Sequence, residues 1–191
     1  MKKLTILPFL TFALLSWKST PADNWAFDEY HAKLRFSITH LMMAEVEGSF
    51  KIKESSITSN GKDFSDAVVT LVADAASVNT ENEMRDKNLR AADCLDTDKF
   101  PTISFKSTSF VKKSDNEYTV TGPLTLHGVT KVVSLNAVAR NGENPMNHAK
   151  MCGFKVTGKI NRKDFGVSSS TPAALLGDEI DVVANVEYVK K

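Results

Sequence analysis

The stretch G-P-L-T-L-H-G-V-T-K, residues 122–131, sits where two alternating patterns meet. Tyr118, Val120, Gly122, Leu124 and Leu126 hold one set of alternate positions, and Val133, Leu135, Ala137 and Ala139 hold another. Apolar residues at period two mark strands with one buried face, because successive side chains point to opposite sides. His127-Gly128 between them predicts a tight hairpin turn, since glycine takes positive φ without steric penalty. The segment reads as two long antiparallel strands with an imidazole at their join.

The same period recurs on both sides. Leu34, Phe36 and Ile38 alternate with Lys33, Arg35, Ser37 and Thr39, and Val46, Gly48, Phe50 and Ile52 alternate with Glu47, Ser49, Lys51 and Lys53. Residues 67–74 form a β-branched run, and Ile103 and Phe105 open a strand that changes parity before Phe110. Phe154, Val156, Gly158 and Ile160 form another, and Ile180, Val182, Ala184, Val186 and Tyr188 close the chain. With the two strands around His127, eight strands are predicted. Ser59-Asn60-Gly61, Ser114-Asp115-Asn116 and Arg140-Asn141-Gly142 carry turn chemistry between them. Such strands cover their apolar faces by stacking a second sheet or by closing into a barrel, and periodicity alone leaves both open. Gly48, Gly122 and Gly158 share the inward parity. They either leave room inside or relieve curvature.

One helix is predicted, over 81–92. Thr80 and Glu83 have the capping-box spacing, and Glu81–Arg85 and Glu83–Lys87 are pairs at i, i+4 with the acid first. Met84, Asn88, Ala91 and Leu95 lie near one stripe that would face the sheet.

Residues 1–22 read as a cleaved leader rather than structure. Lys2 and Lys3 precede an apolar run, and Thr20-Pro21-Ala22 supplies small residues for cleavage. The run is short for a bilayer span, which needs about 20 apolar residues. The mature chain is expected in the periplasm or secreted, without a stable membrane anchor. Removing the leader takes away Lys2, Lys3 and Lys18 and no acid, so net charge moves from +1 to −2. That balance argues against nucleic acid as a partner, which calls for clustered Lys and Arg. The remaining 23–191 suits a single domain. Cys94 and Cys152 would meet an oxidising compartment, so a disulfide between them is open, as is a buried free thiol. Neither belongs to a C-x-x-C pair.

Five pieces of this chain, taken in order, resemble the YceI-like family. They are W-A-F-D-E-Y-H-A (25–32), T-E-N-E-M-R-D-K-N-L-R (80–90), F-P-T-I-S-F-K-S (100–107), the opening decapeptide (122–131) and G-K-I-N-R-K-D-F-G (158–166). The resemblance implies an all-β, eight-stranded antiparallel lipocalin-like barrel with one short helical excursion. It also implies non-enzymatic binding, sequestration or transport of a long-chain hydrophobic ligand, a polyisoprenoid or a fatty-acid-like lipid. Matched position by position, it points to His31, Arg85, Asp86, Asn88, His127, Thr130 and Arg162 for a head group. The family usually has histidine at Asn88 and serine at Ala32, so a titratable or metal-assisted head-group site is less expected here.

The residues carry structural alternatives for each of these. Arg85 can offer a planar donor fork to an anion, or pair with Glu81, or help Asp86 dock the helix. Arg162 can pair with Asp164, His127 can bond across its turn, and His31 can cap the first strand. For the channel wall, the inward parity nominates Phe36, Ile38, Phe50, Ile52, Leu71, Phe105, Leu124, Leu135, Phe154, Val156, Ile160 and Val182. A fully packed interior fits the same residues. A filled barrel would act as a periplasmic protein-interaction module. The four histidines, His31, His40, His127 and His148, lack zinc-site spacing, and Ser168-Ser169-Ser170 lacks the G-x-S-x-G turn. No catalytic residue, metal or cofactor is therefore expected, and a lipid-modifying enzyme is the weaker alternative. The expected partner is a hydrophobic small molecule, with a homodimer left open.

Overall fold

A computed structural model describes residues 23–59 and 63–191. The expected leader over 1–22 and the Asn60-Gly61 part of one expected turn lie outside the described residues. Ten antiparallel segments follow one another: β1 (Asp23–His40), β2 (Ala44–Phe50), β3 (Ile52–Ser59), β4 (Val68–Asp74), β5 (Thr102–Lys106), β6 (Ser109–Lys112), β7 (Glu117–Leu126), β8 (Val129–Glu143), β9 (Lys150–Asn161) and β10 (Leu176–Lys190). β2 and β3 run along β1 and are parted only at Lys51, while β5 and β6 run along β7 and are parted at Ser107-Thr108. Each interrupted pair is one strand, which makes eight. β1 also pairs with β10, from Trp25↔Lys190 to His40↔Leu176, and closes the sheet on itself. The fold is an eight-stranded antiparallel barrel with one short helix.

The interruption between β5 and β6 explains the parity change read before Phe110. Ser107 turns in and is buried, its N–H donating to the Val69 carbonyl (2.9 Å) and its hydroxyl accepting from the Val69 N–H (2.8 Å). The step lets Phe105 and Phe110 both face the interior. The hairpin at 126–129 forms as expected. His127 and Gly128 have φ of +51° and +72°, and Leu126 pairs with Val129. Arg140-Asn141-Gly142 is not a turn. β8 continues through it, with Arg140 opposite Gly153 and Gly142 opposite Met151. The chain reverses instead at 144–149, where the Asn144 N–H donates to the Ala149 carbonyl (2.8 Å). A partner strand long enough to satisfy the ladder outweighs local turn preference.

The helix α1 (Glu83–Arg90) is shorter than expected and is capped differently. Asn82 is the N-cap, its side chain accepting from the Arg85 N–H at 3.0 Å, and Glu81 just before it has φ +61°. Thr80 is engaged elsewhere, by Asp86. Met84, Asn88 and Ala91 are exposed, so of the expected inward stripe only Leu95 is buried, and Leu89 supplies the apolar contact from the helix itself.

Strand directions sort the connections to two ends. The β1–β2 tip, the β4–β5 connection with α1, the His127-Gly128 turn and the β9–β10 connection share one end, here the helical end. The outer ends of β3 and β4, the turns at 113–116 and 144–149 and both termini of the barrel share the other. Two core clusters follow this division. At the terminal end, aromatic rings pack tightly, with Phe64–Phe154 centroids at 4.9 Å and Phe110–Tyr118 at 5.0 Å. At the helical end, Val78, Cys94, Leu95, Leu126, Ile160, Phe165 and Val167 gather beneath α1.

Candidate ligand-binding site

Between the two clusters the barrel is hollow. The cavity has a volume of about 200 Å³, where roughly 10–15 Å³ suffices for one water. Eleven of the twelve nominated wall residues line it: Phe36, Ile38, Phe50, Leu71, Phe105, Leu124, Leu135, Phe154, Val156, Ile160 and Val182. Ile52 does not. It is buried in the aromatic cluster, where the break at Lys51 carries it past the cavity floor. Phe36, Phe50, Leu71, Leu124, Leu135, Val156 and Val182 are only half-buried although they point inward, because they face empty space. Leu34, Val120, Ile180, Ala184, Val186 and Tyr188 also line it and share the inward parity of their strands. Leu89, Cys94, Leu95 and Val167 complete the wall from connections, where period two carries no signal.

The inward glycines do not enlarge this space. A Cβ on Gly48 would stand 2.5 Å from Phe36 Cζ and 2.8 Å from Thr80 Cγ2. One on Gly158 would strike the Leu135 side chain. The missing side chains let neighbours lie down on the sheet, the close-approach role of glycine in strands.

The wall is apolar almost throughout. Arg35, Ser104, Arg162 and Ser168 are its polar members, and the first two sit on the outward parity of their strands. Arg162 is wholly buried, yet its charge is spent locally. Nε donates to the Gly177 carbonyl (2.8 Å), Nη2 to the carbonyls of Thr171 (2.7 Å) and Leu176 (2.9 Å) and to Asp178 Oδ1 (2.8 Å), and Nη1 to the carbonyls of Val167 and Ser168. Its acidic partner is Asp178, not Asp164. A buried guanidinium needs donors satisfied on every side, and the folded-back β9–β10 connection supplies carbonyls for that. Ser168 Oγ donates to Cys94 Sγ at 3.3 Å.

Arg85 and Asp86 converge on one residue. The Thr80 N–H and hydroxyl donate to Asp86 Oδ1 at 2.9 and 2.6 Å, while Arg85 Nε and Nη2 donate to Thr80 Oγ1 and O, both at 2.8 Å. The Glu81–Arg85 pair is replaced by this knot, which docks α1 on the barrel. Asn88 points to solvent. His127 is half-buried, its Nδ1 3.2 Å from the Phe165 carbonyl oxygen and its ring edge-on to Phe100 at 5.0 Å. Thr130 is exposed and meets Thr125 hydroxyl to hydroxyl at 2.8 Å. These six nominated residues share the helical end. His31 does not. It stands on a bulge of β1 between Asp28 and Lys33, beside Glu187 and toward the terminal end.

His31 Nδ1 lies 2.8 Å from Asp28 Oδ2, and this hydrogen bond raises the histidine pKa and lowers that of the aspartate. Asp28, His31 and Glu187 bring their ligand atoms within 4.8 Å of one another, the one such group among the described residues. His31 is exposed and Asp28 half-buried, and the two are already hydrogen-bonded to each other. Cys94 and Cys152 are both free and lie in opposite core clusters, so no bridge joins them. Burial pushes both thiols up, Cys152 to about 12.

Comparison with known proteins places this arrangement. Residues 25–188 match the model of the YceI-like domain. Protein YceI of Shigella flexneri is 38% identical over 187 residues, covering 95% of this chain and 96% of the relative. A UPF0312 protein of Staphylococcus aureus is 35% identical over 173 residues, covering 86% and 96%. Among solved structures, Burkholderia cenocepacia BcnA superposes with a TM-score of 0.74 at 21% identity, over 84% of this chain and 98% of that one. A polyisoprenoid-binding domain from Saccharophagus degradans superposes at 0.64 and 15% identity, over 88% and 99%, which shows the shared fold. With the family model matched over residues 25–188 and a relative 38% identical over 95% of this chain, the chain belongs to the YceI-like family.

Proposed function

We propose that this protein takes up a long hydrocarbon chain, of the polyisoprenoid or fatty-acyl class, reversibly and without chemistry on it. The observation that carries this is the cavity wall, whose only buried charge, Arg162, is fully engaged by the protein's own carbonyls and Asp178. Such a space rewards methylene groups, at about 0.8 kcal/mol each on leaving water, and offers nothing unspent to an ionic group. The ligand chain therefore lies inside and its head group stays at the helical end, beyond Arg85 and His127. The fold shared with a polyisoprenoid-binding domain supports the chemical class. The proposed place of action is the periplasm or the exterior.

Native mass spectrometry of the purified mature protein, followed by solvent extraction, tests the reading. A lipid-sized adduct that organic solvent releases is the expected result. A clean apo mass, with no thermal shift on adding prenyl phosphates or fatty acids, overturns it in favour of a partner-binding barrel. Turnover of an added lipid overturns it in favour of an enzyme.

A further inference from the structure

The β1–β2 tip at the helical end is built against its own interest. Leu41, Met42 and Met43 are 47, 71 and 88% exposed, the one run of consecutive large apolar side chains left in solvent among the described residues. Leu41 and Met42 have φ of +52° and +56°, and the His40 carbonyl accepts from the Met43 N–H at 3.0 Å. A turn whose two central residues are both left-handed favours Asn and Gly and strains bulky side chains. The same geometry recurs at His127-Gly128, but there glycine takes the second place and the His127 ring packs on Phe100. Among the described residues no burial repays Leu41 and Met42.

The tip is one half of a neutral rim. The Leu41 N–H donates to the Leu175 carbonyl at 3.0 Å, joining the tip to residues 172–175, which are all exposed. Residues 41–44 and 171–177 contain no charged side chain, in a chain of which 25% is charged. The rim also runs straight into the cavity wall, because Leu176 follows Leu175 and Ile38 precedes the tip.

We propose that this rim is a membrane-docking surface, seated in the apolar layer of a bilayer while a lipid chain passes between membrane and cavity. The proposal rests on the hydrocarbon-binding reading above, since cargo of that kind resides in bilayers. The rim lacks the Trp, Tyr, Phe and Arg anchors that concentrate binding energy in protein interfaces. Unbranched methionines instead conform to a fluid surface.

The test compares the full mature protein with the variant Leu41→Asn/Met42→Gly/Met43→Ser. Asn-Gly suits the turn, so the melting temperature is expected to hold or rise. Two readouts are made with vesicles of equal parts phosphatidylethanolamine and phosphatidylglycerol. The variant is expected to lose co-flotation with empty vesicles, and its initial rate of taking pyrene-labelled fatty acid from loaded vesicles should fall by roughly tenfold or more, as deletion of exposed leucine and methionine contacts implies. Loading with the same fatty acid from solution should not change. High salt should leave wild-type flotation intact, because the contact is apolar. Flotation and vesicle transfer equal to wild type overturn the docking surface. So does a wild type that fails to float, or floats only at low salt. Wild type that floats but never loads from solution leaves the docking surface standing and sinks the cavity reading instead.

Discussion

Thr80 gives both its N–H and its hydroxyl to a single oxygen of Asp86, six residues on, at 2.9 and 2.6 Å. Arg85 then closes on Thr80 from the other side. The three residues bind one another rather than leaving an anion site empty. Thr80→Val removes the hydroxyl from both partners and is expected to destabilise by about 1–3 kcal/mol, the range for a buried polar group left short of a bond. Hydrogen exchange should localise the loss to α1, and uniform loss across the barrel would count against the docking role.

Arg162→Met leaves the carbonyls of Thr171, Leu176 and Gly177 without their donor. Breaking a fully buried charged hub of this kind costs about 3–5 kcal/mol. Denaturant unfolding should show that loss, with residues 166–176 exchanging fastest. A folded, equally stable variant with altered head-group preference would instead assign Arg162 to the ligand.

Val182 faces the cavity and is half-buried there. Val182→Phe fills part of that space, so lipid loading should fall while stability holds or rises by up to about 2 kcal/mol. Unchanged loading in native mass spectra would place the chain elsewhere.

The buried thiols predict chemical silence. Burial raises the Cys94 pKa and takes Cys152 to about 12, and the thiolate is the reactive form. Iodoacetamide at pH 8 should label neither in the native protein and both after denaturation. Mass should be the same with and without reductant. Labelling of the native fold, or a two-hydrogen mass deficit, would contradict this.

His31 should titrate above its ordinary value of 6.5, and Asp28 below its ordinary 3.8, each through the bond to the other. The pair's stabilisation is complete only where Asp28 is ionised and His31 is protonated. It is present above pH 3.8 and below pH 6.5, and is lost as pH rises through the elevated histidine value. It is lost again as pH falls through the depressed aspartate value. Asp28→Asn should bring the His31 ring titration, followed by NMR, back down. No change would mean the pair does not persist in solution.

The strands, their facing and the hairpin at His127 were legible because period two is written in residues that are neighbours in the chain. Boundaries near Thr80 and Gly142 were misread because partners other than the expected ones overrode local preference. Asp86 drew Thr80 away from the cap, and β9 extended β8 through Asn141-Gly142. For Arg85 the docking role beside Asp86 was one of the readings offered, but its partner Thr80 was not, and the partners of Arg162 were not legible. A guanidinium's partners are set by which carbonyls the fold brings round it.

From order and alternation alone, this chain settled that it forms an antiparallel sheet of eight strands with apolar side chains on one face. Tertiary packing alone decided that the enclosed face is plugged with rings at one end and hollow toward the other. Periodicity tells which way a side chain points. Whether the opposite wall stands near enough to touch it depends on strand breaks at Lys51 and Ser107-Thr108, and on neighbours lying over Gly48 and Gly158.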